Sequence, residues 1–248
     1  MIYRAAHYCM KGGRSYNEDS IRYDDGSLGF ICVVADGLGG HGGGEIASSL
    51  TVETLVNGFK NNPDIGAEAI RRLFEATNRE VLARQIPSIQ MKSTAVALFC
   101  TGTGMTVAHV GDSRFYYFSQ GRLIYQTKDH SVSQMAVLSG EISSSQIRFH
   151  EDRNKVLRAL GSDVEVKPEI QSFSRPEPSD VFLLCTDGFW EYVLEEEMEI
   201  DLAKAQGPQQ WLDFMVARLG GRINGKNDNF TAGAIFVANS SMDVTVRG

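Results

Sequence analysis

Val33–Glu45, VVADGLGGHGGGE, is the stretch on which the fold turns. An apolar run, Phe30-Ile-Cys-Val-Val-Ala, leads into it, and a helix-like pattern, Glu45-Ile-Ala-Ser-Ser-Leu, follows. Its GLGGHG segment fits the dinucleotide fingerprint G-x-G-x-x-G letter for letter. That fingerprint needs a βαβ unit and an acid at the end of a second strand about twenty residues on. Here a second helix follows the first, and Asp64 falls at a helix start. Asp36 sits directly before the first glycine, where its carboxylate would repel a pyrophosphate unless a cation lay between them. The nucleotide reading is therefore rejected. In the competing reading Asp36 is the point of the loop, and the glycines let the backbone close around a cation.

Other aspartates repeat the pattern. Asp112 follows Ala108-His-Val-Gly, Asp187 follows Phe182-Leu-Leu-Cys-Thr, and Asp228 precedes the run Phe230-Thr-Ala-Gly-Ala-Ile-Phe-Val. One aspartate at a strand edge is usually a turn or cap residue. Four at the ends of rigid strands can converge on one point, and oxygen-only donors suit Mg²⁺ or Mn²⁺.

Outward from this stretch, apolar runs predict strands at 2–8, 20–23, 29–35, 94–100, 105–110, 115–119, 123–127, 165–173, 181–186 and 232–238. Helical spacing predicts helices at 46–60, 64–85 (capped by Asp64), from Ser131, at 195–205 and at 208–219. Asp24–Ser27 and Gln120-Gly121 read as hairpin turns. Strands joined by hairpins, with helices set apart from them, imply an α+β fold of mainly antiparallel sheets with helices packed outside. The 248 residues are 42% apolar, ordinary for a globular chain, and no linker divides them, so one domain over 1–248 is expected. A net charge of −7 without a basic cluster argues against nucleic acid or an anionic membrane. No apolar run approaches the ~20 residues that cross a bilayer, and the N-terminus lacks a signal-peptide core, so a cytoplasmic protein is expected. The four cysteines form no C-x-x-C and read as buried thiols.

The motifs GGRSYNEDS (12–20), VVADGLGGHGGGEIAS (33–48), STAVAL (93–98), AHVGDSRFY (108–116), TKDHSVSQ (127–134), RNKVLRALG (153–161), LLCTDGFWE (183–191) and KNDNFTAGAIF (226–236) together resemble the PPM, or PP2C-like, metal-dependent serine/threonine protein phosphatases in their compact bacterial form. The resemblance implies a four-layer α/β/β/α sandwich with the metals in a cleft at one end. It implies that Asp36 bridges two Mn²⁺ or Mg²⁺ ions and that the Gly37 carbonyl, Asp187 and Asp228 complete the protein ligands. Glu18 would act through water, Asp19 from behind, and Asp112 at a third ion. Glu191 stands where many relatives have Asp, and reads equally as a third-ion ligand or a first-turn acid. Arg14 would pair with the substrate phosphate, which a hydroxide held between the ions would attack in line.

Leu38 replaces a proton-donating His of animal relatives. His41 is then the candidate acid, against a plain reading as a solvent-facing loop residue. His130 reads as a turn residue before a Ser131 cap, despite adjoining Asp129. Ser139–Asn154 corresponds to the family's flap beside the cleft. Substrates would be phosphorylated proteins, among them a Ser/Thr kinase, and the chain is taken as a monomer. Two alternatives stand beside this one: a partner-switching phosphatase of an anti-sigma antagonist, and an inactive regulatory module that keeps the fold.

Overall fold

The structure, a computed structural model, describes residues 1–39, 43–86 and 90–239. Within these residues eleven strands form two antiparallel sheets. The first has the order β1 (Ile2–Met10), β11 (Phe230–Ala238), β10 (Val181–Cys185), β7 (Arg114–Ser119), β8 (Arg122–Gln126). The second runs β2 (Asp19–Gly26), β3 (Gly29–Leu38), β5 (Ala95–Cys100), β6 (Met105–Val110), β9 (Glu169–Phe173), with the two-residue β4 (Lys92–Ser93) beside the end of β3.

Alternation along the strands builds three apolar layers. Ile31, Val33 and Ala35 of β3 point outward with Ala95, Ala97 and Phe99 of β5, onto α1 (Gly43–Asn61) and α2 (Ala67–Arg84). Phe30, Cys32 and Val34 point inward and meet Phe182 and Leu184 of β10 and Ile235 of β11 between the sheets. On the far side Leu183, Cys185, Ala232 and Ala234 pack against Trp211, Leu212 and Met215 of α6 (Pro208–Gly220) and Met198 of α5 (Glu195–Leu202). Both faces of each central strand are buried, which is why these strands read as unbroken apolar runs. The order of layers is the α/β/β/α sandwich expected.

Several boundaries differ from expectation. The helix expected from 64 begins at Ala67 with Gly66 as its cap; Asp64 Oδ1 instead accepts from the Gly66 amide at 2.8 Å, a turn two residues long. The first hairpin turns at Ser27-Leu28, since Gly26 pairs with Gly29. Gln120 and Gly121 do form the second turn, with φ of 50° and 77°, the left-handed pair that a tight hairpin demands. The ninth strand starts at Glu169, later than its apolar text suggested. The polar 139–154 segment holds a 3₁₀ helix at 144–149. Ser131 caps α3 (Val132–Leu138), its hydroxyl accepting from the Gln134 amide at 3.2 Å.

Candidate metal centre and active-site cleft

A cleft of about 260 Å³ opens where strand ends of the two sheets meet, and among the described residues Glu18, Asp36, Asp112, Asp187 and Asp228 line it with a single cation, Arg14. Asp36 comes from β3. Asp112 lies in the loop that carries the chain from β6 in one sheet to β7 in the other. Asp187 opens a single helical turn, α4 (Asp187–Trp190), just after β10, and Asp228 lies just before β11. Asp19, paired directly across from Asp36 in β2, is buried behind the cleft.

Hydroxyls and amides fix these positions. The Asp36 amide donates to Thr94 Oγ1 at 2.9 Å, the Thr94 amide donates back to Asp36 O at 2.8 Å, and Thr94 Oγ1 shares a proton with Ser113 Oγ at 2.7 Å. Gly37 is required here: a Cβ would overlap the carbonyl oxygen of Gly44 and crowd that of Glu18. Asn229 clamps the N-terminal loop that carries Arg14 and Glu18. Its Oδ1 accepts from the Glu18 amide, and its Nδ2 donates to Lys11 O and Tyr16 O, each at 2.8 Å. Trp190 Nε1 donates to Asp112 O at 2.9 Å. Thr186 Oγ1 donates to Asp19 Oδ2 at 2.8 Å, while Asp19 Oδ1 is buried without a partner.

Crowding so many carboxylates resists their ionisation. Loss of solvation, then the charges of Asp19, Asp187, Asp112 and Asp228, push Asp36 far above the usual carboxylate range. Asp187 is raised by burial and by Asp112 and Glu191. Asp112 is pushed to about 7, by burial first and Asp129 second. Burial also lifts Asp19 to about 7, against the Thr186 hydroxyl bonded to its Oδ2. Such a cluster is stable as anions only with a compensating cation. Oxygen-only donors and the unpartnered Asp19 Oδ1 fit hard divalent ions with waters in their shells.

The residues singled out from sequence mostly gather here. Arg14, Glu18, Asp36, Gly37, Asp112, Asp187 and Asp228 line the cleft and Asp19 backs it. Arg14 is engaged by Asp228, Nη2 to Oδ2 at 2.6 Å. Leu38 lines the cleft, and His41 lies outside the described residues. Glu191 stands to one side, accepting from Arg153 Nε at 2.9 Å, although its charge still raises Asp112 and Asp187. His130 is a turn residue: its Nδ1 accepts from Gly111 N, and its carbonyl accepts from Leu157 N. It stacks on His109 with centroids 4.6 Å apart, and these two with Glu169 bring three ligand-type atoms within 4.8 Å. That trio is distinct from the cleft. With Nδ1 accepting, His130 Nε2 carries the proton and has no lone pair to offer.

Sequence reasoning missed Asn229, Asn154 and the Thr94–Ser113 support. Asn229 was visible in the NDN run beside Asp228; the others carry no local signal. It also missed a buried assembly behind Asp112. Arg114 grips Asp129 through Nε and Nη2 at 2.8 and 2.7 Å and lies 3.5 Å over the Trp190 ring.

Comparison with known proteins identifies the family and matches the fold. A family profile described as Protein phosphatase 2C matches residues 11–227. The serine/threonine phosphatase stp of Listeria monocytogenes is 34% identical over 210 residues, covering 81% of this chain and 82% of that protein. The serine/threonine phosphatase PstP/Ppp of Mycobacterium tuberculosis superposes with a TM-score of 0.81 at 29% identity, over 96% of this chain and 100% of that one. A structure of the PstP catalytic domain in complex with two manganese ions gives a TM-score of 0.81 at 28% identity, over 96% and 99% of the two chains. The chain belongs to the protein phosphatase 2C family of serine/threonine phosphatases.

Proposed function

We propose that the whole chain is one catalytic domain that hydrolyses phosphoserine and phosphothreonine on proteins, reversing a bacterial Ser/Thr kinase, with two Mn²⁺ or Mg²⁺ ions in the acidic cleft. The observation that carries this reading is the convergence of five carboxylates from both sheets on one cleft, with the unpartnered Asp19 Oδ1 behind them. Asp36, the Gly37 carbonyl, Asp187 and Asp228 would hold the ion pair, with Glu18 reaching through water. Asp112 would serve a third ion. When bound, the ions supply an acidified water and screen the phosphate's charge.

The chain's own groups position and neutralise. Arg14 stands at the mouth with its side chain 57% exposed, and its planar fork suits two phosphate oxygens. Asp228 holds that fork in place before substrate arrives. Thr186 orients Asp19, and Thr94 with Ser113 fixes the backbone of Asp36. Among the described residues no Ser, Thr, Cys or His lines the cleft, which favours direct hydrolysis over a phosphorylated serine, cysteine or histidine. The presence of Asp36, Asp187 and Asp228 speaks against an inactive module. We take the protein to act as a cytoplasmic monomer; no described helix is long and apolar enough to cross a membrane.

The test is phosphate release from a phosphothreonine peptide, with and without Mn²⁺, for wild type and Asp36→Asn. Release should require the ion and fall at least a hundredfold in the variant, the scale of losing a principal electrostatic group. Release without divalent ions, or undiminished in Asp36→Asn, sinks the reading.

A further inference from the structure

Beside the cleft lies a second hollow of about 460 Å³, walled by Phe149 and Arg153 from the 139–154 segment and by Tyr192, Leu194 and Arg222 from the body. We propose that this hollow is a peptide subsite that takes an aromatic side chain of the substrate, close in sequence to the phosphorylated residue. The proposal rests on the phosphatase reading above and names a preference within it.

Position comes first. Arg153 is the chain neighbour of Asn154, which lines the cleft, and it is tied to Glu191, four residues beyond Asp187. The two cavities therefore meet at the Arg153–Asn154 step of the chain. An extended peptide advances ~3.3 Å per residue, so a substrate whose phosphoresidue sits in the cleft can carry a nearby side chain toward the hollow.

The lining then selects the chemistry. Three arginines suggest an acidic ligand, yet each already has its carboxylate. Arg148 donates to Trp190 O, Val193 O and Glu195, at 2.9, 3.0 and 2.9 Å. Arg153 is held by Glu191 at 2.9 Å. Arg222 gives Nη1 and Nη2 to Glu197 at 2.7 and 2.5 Å and Nη1 also to Tyr192 O. With each of the three cations already ion-paired, none is held free for an acidic side chain, and Glu195 and Glu197 are shared further with Arg114 and Arg218. What remains open are the guanidinium faces of Arg153 and Arg222, 36% and 39% exposed, and the apolar surface of Tyr192 and Leu194, while Arg148 is enclosed against the Trp190 ring. Phe149 stands over them at 81% exposure, an aromatic ring left in water although it belongs to a segment anchored through buried Arg148. Planar cations and an exposed ring suit a stacked aromatic guest, and the volume falls in the range of sites that enclose small organic groups.

The test uses phosphothreonine peptides with Phe or Ala placed singly from four residues before to four after the phosphoresidue. The readout is kcat/KM with Mn²⁺ for wild type, Phe149→Ala and Phe149→Asp, with p-nitrophenyl phosphate as a substrate too small to reach the hollow. In wild type, Phe at one or two offsets should raise kcat/KM about three- to tenfold over Ala, the scale of one aromatic or cation–π contact. Both variants should bring that ratio within about twofold of unity and leave p-nitrophenyl phosphate turnover unchanged. A flat wild-type profile, or a preference that survives both variants, overturns the subsite. Failure of wild type to hydrolyse any of these substrates would instead count against the phosphatase reading.

Discussion

Removing one partner of the Arg114–Asp129 pair should be among the most destabilising polar changes in the molecule. Both side chains are almost wholly enclosed, at 3% and 2% exposure, and meet through two short bonds. Breaking such a pair costs about 3–5 kcal/mol, because the survivor is left charged and unsolvated. The two halves should fail differently. In Asp129→Leu the guanidinium cannot shed its proton. It keeps Tyr116 Oη at 3.3 Å and Glu195 at 3.7 Å, which places the loss near 3 kcal/mol. In Arg114→Met the stranded carboxylate escapes by taking up a proton. Its folded pKa then lies above the unfolded value, so the loss is largest above neutrality and shrinks as pH falls toward 5. The double variant should recover to within about 2 kcal/mol of wild type, since a buried pair is replaceable by apolar side chains. Thermal unfolding at pH 5 and 8 checks all three; at this chain length 3 kcal/mol is roughly 6–12 °C. A single-variant loss under about 1 kcal/mol, or a double variant no better than the worse single, would refute the reasoning.

Three further outcomes are expected. Burial and the stacked His109 hold His130 down at about 3, below its unfolded value, and half-exposed Glu169 at 3.6 Å from Nε2 offsets little of this. Its stability contribution is therefore complete above about pH 6.5 and is lost as pH falls, at up to ~1.4 kcal/mol per unit; denaturant titrations from pH 7 to 4.5 should show a slope that His130→Gln flattens, and an equal slope in both would contradict it. Thr186→Val removes the donor to Asp19 Oδ2 and the acceptor of the Thr231 amide, and should cost about 1–3 kcal/mol and raise the Mn²⁺ concentration for half-maximal activity; an unchanged Mn²⁺ requirement would count against a role for Asp19. Gly37→Ala forces a methyl into the Gly44 carbonyl and should cost about 1–3 kcal/mol in thermal stability with a larger loss in kcat/KM, whereas wild-type behaviour would remove the need for a glycine there.

Much of the fold was legible because burial on both faces writes each central strand as an unbroken apolar run, from Phe30 to Ala35 and from Val181 to Cys185. The acidic cleft was legible for a related reason. A carboxylate beside such a run stands out, and Asp36, Asp112, Asp187 and Asp228 all do. What sequence hid was pairing at long range. Nothing near Arg148 announces that it reaches carbonyls more than forty residues ahead, so a well-anchored segment read as polar surface. Arg114 and Asp129 lie fifteen residues apart across a hairpin, and only strand pairing brings them together. Glu191 was weighed between third-ion ligand and first-turn acid; its partner, Arg153, lies on the segment whose structure was unreadable. Asp64 misled because the same carboxylate that caps a helix also closes a short turn, and the local sequence does not separate the two.

Among the described residues four strands border the two sheets, β1, β8, β2 and β9, and on β8 the Leu123 amide is already taken by Glu199 of α5. An open edge is a template on which a second chain can lay a strand. Arg4 is exposed on β1, Arg122 on β8, Arg22 and Asp25 on β2, and Glu169 on β9. A strand arriving at any of them would have to accommodate a charge that has water now. The same molecule that draws its carboxylates together at the strand ends thus also sets charge on each of its sheet borders, a placement that disfavours edge-to-edge growth.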